Sequence, residues 1–191
     1  MDAMGREGAG VLSVSRQAVL FALALMPALP VVAQSQSAWH AARGGVEVKA
    51  NALTRPAVLA FYQARGFSAE AIAPYADACV FSFEVRNTTK KPLRLRLADW
   101  RAEDGAGSAR FGLPDAWEAE WARRGVPQAA RIAFRWAQFQ AEQEFAPGDW
   151  IMGMAAVERR HDGRFRLVIP YTIGNRHPEI AIDNVACAPL D

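Results

Sequence analysis

The chain has 191 residues, 22 of them Lys or Arg and 20 Asp or Glu, for a formal net charge of +2; 51% are hydrophobic. Charges of both signs are interspersed rather than clustered, which excludes the basic footprint of a nucleic-acid-binding protein and implies no strong electrostatic partner.

At the N-terminus, Arg6 and Arg16 precede the apolar run AVLFALALMPALPVVA from Ala18 to Ala33, which ends in small or short residues before Gln34. That order is the signature of a cleavable secretory signal peptide, with cleavage expected after Ala33. Pro27 and Pro30 break the run, which is shorter than the roughly 20 apolar residues of a spanning helix. No twin-arginine pair precedes it and no cysteine follows the expected cleavage point, so general secretion without lipidation is expected. Residues 34–191 then form one domain of ordinary length. Removing residues 1–33 takes away two basic and two acidic residues and leaves the net charge unchanged. Lysine is confined to Lys49, Lys90 and Lys91 while Arg and Ala abound, a GC-rich bacterial habit. The expected location is therefore periplasmic or secreted. The Asn87-Thr88-Thr89 triplet has N-glycosylation spacing but reads in a bacterial chain as a turn.

Alternation with period two marks strands. It begins at VEVKA, near Val46. The stretch from Arg55 to Ala78 reads instead as two short helices, one with Pro56 in its first turn and Gly66 as its stop, the next capped by Ser68. In CVFSFEVRN, Cys79, Phe81, Phe83 and Val85 share one face; in PLRLRL, Leu93, Leu95 and Leu97 do the same. The polar NTTKKP between them predicts a hairpin. EDGAGSARFG, around Gly105 and Gly107, lacks the G-K-[ST] of a phosphate cradle and reads as a loop. PDAWEAEWARRG is a third helix, with Trp117 and Trp121 four apart on one face. PQAARIAFRWAQF fits both helical and strand spacing and is read as a short helix running into a strand.

FQAEQEF is a strand, followed by Pro147-Gly148, which suits a type II turn. WIMGMAAVERR and RFRLVIPYTI are strands joined at Asp162-Gly163, a hairpin signal. In EIAIDNVAC the parity of Ile180 and Ile182 is broken at Asp183-Asn184, which predicts a bulge before Val185 and Cys187. The expected architecture is mainly β, an antiparallel sandwich of about seven strands with helical insertions at about 56–78 and 114–138; the alternative is α+β. In an oxidising compartment, the only two cysteines, Cys79 and Cys187, are expected to form a structural disulfide, since no C-x-x-C suggests redox catalysis.

Candidate chemistry is sparse. His40, His161 and His177 are the available imidazoles, no serine occupies a G-x-S-x-G turn, and all three histidines are expected at the surface. Glu118 and Glu120 diverge on a helix, and Glu142 with Glu144 fits a solvated strand face. No catalytic residue is assigned and a non-enzymatic protein without a cofactor is expected. Met152 and Met154, on one strand face with Trp150, together with His177, are the residue types of a periplasmic Cu(I) carrier, although core packing is the preferred reading of the methionines. Trp117 and Trp121 either pack as a lid or anchor a partner, with Arg123 and Arg124 completing that helix's last turn.

Residues 80 to 97, an alternating strand running into N-x-T-x-K-P and a leucine-rich return strand, resemble the hairpin of bacterial extracytoplasmic immunoglobulin-like domains. The resemblance implies a sandwich scaffold and no particular activity. The functional expectation is a secreted accessory or binding protein acting on a protein partner, with a copper carrier and a carbohydrate-binding module using exposed Trp and Tyr as alternatives.

Overall fold

The structure is a computed structural model that describes residues 38–190. Every described residue belongs to one compact unit, and the expected signal peptide falls outside them. The elements begin with β1 (Ala38–Arg43), β2 (Val46–Ala52), α1 (Arg55–Gln63), α2 (Ala69–Ala76) and β3 (Cys79–Asn87). Next come β4 (Leu93–Arg96), a 3-10 turn at Leu97–Asp99, β5 (Arg101–Asp104), β6 (Gly107–Arg110), α3 (Pro114–Arg123) and α4 (Gln128–Ala137). The chain closes with β7 (Glu142–Phe145), β8 (Trp150–Val157), β9 (Arg164–Ile173) and β10 (Glu179–Ala186).

The strands form two antiparallel sheets. The first has the order β1-β2-β3-β8; the second is β6-β5-β9-β4-β7, with β10 on the other edge of β9. One long strand, β9, is the spine of the second sheet. Its Ile173 and Tyr171 pair with Leu93 and Leu95 of β4, and its Val168 to Arg166 stretch pairs with β5. Alternation explains the core between the sheets: Val46, Val48, Phe81, Phe83 and Val85 face Leu93, Leu95, Trp100, Leu167 and Ile169, all buried. Trp100 and Phe139 meet there at 4.9 Å between ring centroids. The mainly β, two-sheet expectation stands, with ten strands among the described residues in place of about seven.

Two expected hairpins and one expected loop are corrected. β3 and β4 lie in different sheets, because both edges of β3 are taken by β2 and β8. The polar link is a crossover pinned by buried Asn87, whose amide donates to the carbonyls of Lys91 at 2.9 Å and Phe145 at 3.2 Å. The Asp162-Gly163 turn likewise carries the chain from β8 in one sheet to β9 in the other. The GAGSAR loop is a true hairpin, β5 with β6. Local signals held better. Gly148 has φ +90° and Asp149 N–H donates to Ala146 O at 3.1 Å, as a type II turn requires. The register of β10 shifts between Ile182 and Val185, where Asn184 adopts φ +58°.

A third layer of four helices covers part of the outer face of the first sheet. Thr54 and Ser68 cap α1 and α2 by accepting from the N–H groups of Ala57 and Ala71. Apolar residues of these helices, of α3 and α4 and of the loops joining them, among them Val58, Ile72, Phe67 and Phe134, enclose a second core against Val80 of β3 and Ala156 of β8. Both faces of that end of the sheet are therefore apolar and buried.

The chain passes from helix layer to sandwich core at one point. After α4, Phe139 N–H donates to Met154 O at 2.7 Å and its ring enters the core. The crossing runs directly over Gly153, where a Cβ would lie 2.5 Å from Phe139 N and 2.6 Å from its Cα. Gly153→Ala must push backbone away from backbone, so it should destabilise by about 2 to 3 kcal/mol, the upper part of the overpacking range; chemical denaturation beside wild type measures this.

The disulfide forms between Cys79 in β3 and Cys187 just after β10, with Cα atoms 5.2 Å apart and 108 residues between them in sequence. It joins the two sheets at one end. Among the described residues no helix is long and apolar enough to cross a membrane.

Candidate binding face

The tryptophan pair singled out in α3 packs into the helix layer. Trp121 is fully buried and Trp117 half-buried; their rings stack at 5.4 Å, Trp117 meets Tyr75 at 5.1 Å, and Trp121 meets Phe67 at 5.5 Å and Phe134 at 5.4 Å. The amphipathic face of α3 points into the helix layer, so both indoles help hold the layer together; Trp121 presents no surface to a partner, and Trp117 only a part of its ring. Arg123 and Arg124 both pair with Glu120 on their own helix, an exposed arrangement of small energetic weight.

The copper set is not assembled. Met152 and Met154 share the outer face of β8, where Met154 Sδ accepts from Tyr62 Oη at 3.5 Å. His177 lies across the sandwich, in a groove of about 740 Å³ on the outer face of the second sheet, where its Nδ1 is 3.2 Å from Thr172 Oγ1. Arg94 and Arg96 line the same groove, each neutralised by carboxylates: Arg94 by Glu144 at 2.9 Å, Arg96 by Glu142 at 3.5 Å and Asp99 at 3.9 Å. The groove is polar and its charges satisfy one another. Among the described residues no group of three or more His, Cys, Asp or Glu could hold a metal ion.

His161 departs from its expected place at the surface. It is buried, stacks on Phe165 at 4.6 Å between centroids, and its Nδ1 pairs with Asp104 at the start of the β5–β6 turn. Among the described residues its Nε2 is enclosed without a partner. The pair pins two turns together. The His161 hydrogen bond, helped by the Ala106 N–H, holds the Asp104 carboxyl below its ordinary value of 3.8. A depressed folded-state value stabilises above the unfolded value and is lost as pH falls through the folded one. Stability should therefore fall in acid below about pH 4, and Asp104→Asn should flatten that fall while lowering stability at neutral pH; melting temperatures from pH 2 to 7 test this.

A buried hydrogen-bond chain also lies beneath the helices. Tyr75 Oη donates to Gln138 Oε1 at 3.0 Å and Gln138 Nε2 donates to Tyr62 Oη at 2.7 Å. Burial raises both phenols above their ordinary value, so they stay neutral. With partners satisfied and no opening to solvent, the chain is structural; it locks α1, α2 and the end of α4 together.

The exposed features lie elsewhere. Along β3, outward side chains pass from buried Val80 through half-buried Ser82 and Glu84 to exposed Arg86. Along β8 they pass from buried Ala156 through Met154 to Met152, 60% exposed, and Trp150, 54% exposed. The helix layer stops halfway along the sheet. Arg86 lies over Trp150 at 6.0 Å from its ring centroid and, among the described residues, forms no ion pair. On α4, Trp136 is 81% exposed and Ile132, one turn before it, 50%, on the side away from buried Ala130 and Phe134. Two residues after Trp136 the chain bridges to half-buried Met154, so α4 ends at the boundary between the covered and uncovered halves of the sheet. Periodicity did hold a signal for this face: α4 has apolar residues on two opposed sides, one more than burial uses.

Comparison with known proteins finds no match: no family model, no curated protein and no solved structure is similar to the chain.

Proposed function

We propose that the chain is an extracytoplasmic, non-enzymatic accessory protein that engages a protein partner through the uncovered half of the first sheet and the adjoining side of α4. The observation that carries the reading is the sorting of the large side chains. Trp100 and Trp121 are fully buried, whereas Trp136 and Trp150 stand open on neighbouring elements with Met152, Ile132, Arg86 and Arg135. Trp and Arg are the residues most enriched at interface hot spots, and apolar side chains of this size gathered on one exposed face mark interaction sites. The extracytoplasmic location is supported by the signal-like order of residues 1–33 and by a disulfide that a reducing cytosol would not maintain. The immunoglobulin-like reading of the scaffold rests on the two-sheet sandwich alone.

The test is crosslinked capture from periplasmic extract, wild type beside Trp136→Ser/Trp150→Ser. Both side chains are exposed, so the variant should keep its melting temperature within a few degrees while a specific partner is lost at least tenfold. Capture unaffected by the variant would refute the face. A carbohydrate ligand is the second reading, favoured by Trp150 lying on the sheet face that also carries the paired Lys49 and Glu84, whose Nζ and Oε1 are 3.0 Å apart. Titration with soluble glycans would then quench tryptophan emission in wild type and not in Trp150→Ser.

A further inference from the structure

We infer that the partner engages this face as an extended acidic segment added as a strand to the open edge of β8. The inference rests on the binding-face reading and deepens it. Just beyond the β3–β8 ladder, Asn87 N–H donates to Asp149 O at 2.9 Å, which puts the odd-numbered side of the β8 chain toward β3. Antiparallel pairs alternate, so the even-numbered residues of β8 turn their N–H and C=O groups away from β3. Further along the strand those groups are used: Met154 O accepts from Phe139 N–H at 2.7 Å, and Ala156 O accepts from Gly112 N–H at 2.9 Å. Among the described residues nothing takes the outward backbone groups of Trp150 and Met152.

Natural sheet edges are blunted by charge, proline, bulges or a cover. The second sheet follows this rule: β7 carries Glu142 and Glu144, and β10 has its bulge. At the margin of the first sheet, β1 is tied across to β10 through Trp39 Nε1 and Asn184 O at 3.1 Å. Trp150-Ile151-Met152 has none of these devices and is apolar. It is the geometry used when an extended peptide completes a sheet, with the main chain supplying affinity and alternate side chains supplying specificity.

Charge selects the occupant. Arg86 reaches over Trp150 and Arg135 lies on α4 next to Trp136, both without ion pairs among the described residues. Glu47, the cross-strand neighbour of Arg86, stands on the side away from β8. A second copy of this chain would bring the same arginines against each other, so a partner with apolar residues alternating with Asp or Glu fits better.

The probe is a fluorescein-labelled 12-residue peptide alternating valine and glutamate, compared with its valine-lysine counterpart and with a version N-methylated at alternate amides. Anisotropy should show binding of the glutamate peptide alone, weakened at least tenfold by Arg86→Ala and by 0.5 M salt. Met152→Pro removes one outward N–H and no β3 hydrogen bond, so it should fold and lose at least tenfold in affinity, whereas Met152→Val should lose less than threefold. Should Met152→Pro fail to fold, the N-methylated peptide makes the same test on the wild-type chain. Equal binding of the methylated peptide, no binding of the glutamate peptide up to millimolar concentration, or a wild-type dimer abolished by Met152→Pro would each overturn the inference. If partner capture still depends on Trp136 and Trp150 in those cases, the binding face survives and only strand addition falls; if capture fails as well, both fall.

Discussion

Replacing Trp121 by Ala should destabilise the protein by about 3 to 5 kcal/mol, the range for removing a fully buried aromatic side chain. The indole touches Trp117, Phe67 and Phe134, and these come from α3, from α4 and from the loop between α1 and α2. No single neighbour can relax into the space without disturbing a second helix. For a domain of this size the cost corresponds to a fall in melting temperature of roughly 6 to 20 °C, read by thermal denaturation. A change within 2 °C would place Trp121 outside the core. Partner loss in a Trp121 variant is consequently no evidence about binding, which makes the exposed Trp136 and Trp150 the informative positions.

Removing the disulfide with Cys79→Ser/Cys187→Ser should cost about 4 kcal/mol. Bridging residues 108 apart restricts a long loop of the unfolded chain, and the chain-entropy estimate for such a loop is about 4 to 5 kcal/mol, which measured bridges often undershoot. Native geometry supports a large value: Cys79 is buried at the start of β3 and Cys187 follows the last strand, so the bridge holds one sheet to the other where β10 ends. The double variant and the reduced wild type should melt at the same temperature, about 8 to 16 °C below the oxidised protein. Agreement of the two with the oxidised protein would show that the bridge carries no stability.

The elements that depend on neighbours in sequence were legible. Ser68 caps its helix, Pro147-Gly148 makes its turn, and the parity break at Asp183-Asn184 is the bulge seen in β10, because each is decided by backbone conformation within a few residues. What the alternation of CVFSFEVRN and PLRLRL could not reveal is which strands pair. Both strands bury one face in the same core, and a polar link of five residues serves a hairpin and a crossover equally well; Asn87 chose the crossover by bonding to carbonyls that lie 58 residues away. The short strands β5 and β6 were hidden by glycine and charge.

The candidate face was half visible. Trp117-Trp121 and Ile132-Trp136 are both apolar pairs four apart on helices, and spacing cannot say which pair faces the sheet. Tertiary packing buried the first and left the second open. Met152 and Met154 read as core for a similar reason: WIMGMAAV is apolar throughout, yet the helix layer covers only its second half and leaves Met152 exposed. The separation of Met152 from His177 across the sandwich is a fact of topology with no trace in their spacing.

Trp136 and Trp150 stand open, whereas Trp121 is interior and Trp117 is half-buried against it. Oxidation of the folded protein with N-bromosuccinimide, followed residue by residue by peptide mass spectrometry, tests this arrangement without a partner in hand. Trp136 and Trp150 should be modified first, and Trp100 and Trp121 should react last. Modification of Trp121 as fast as Trp136, with the protein still folded, would contradict it.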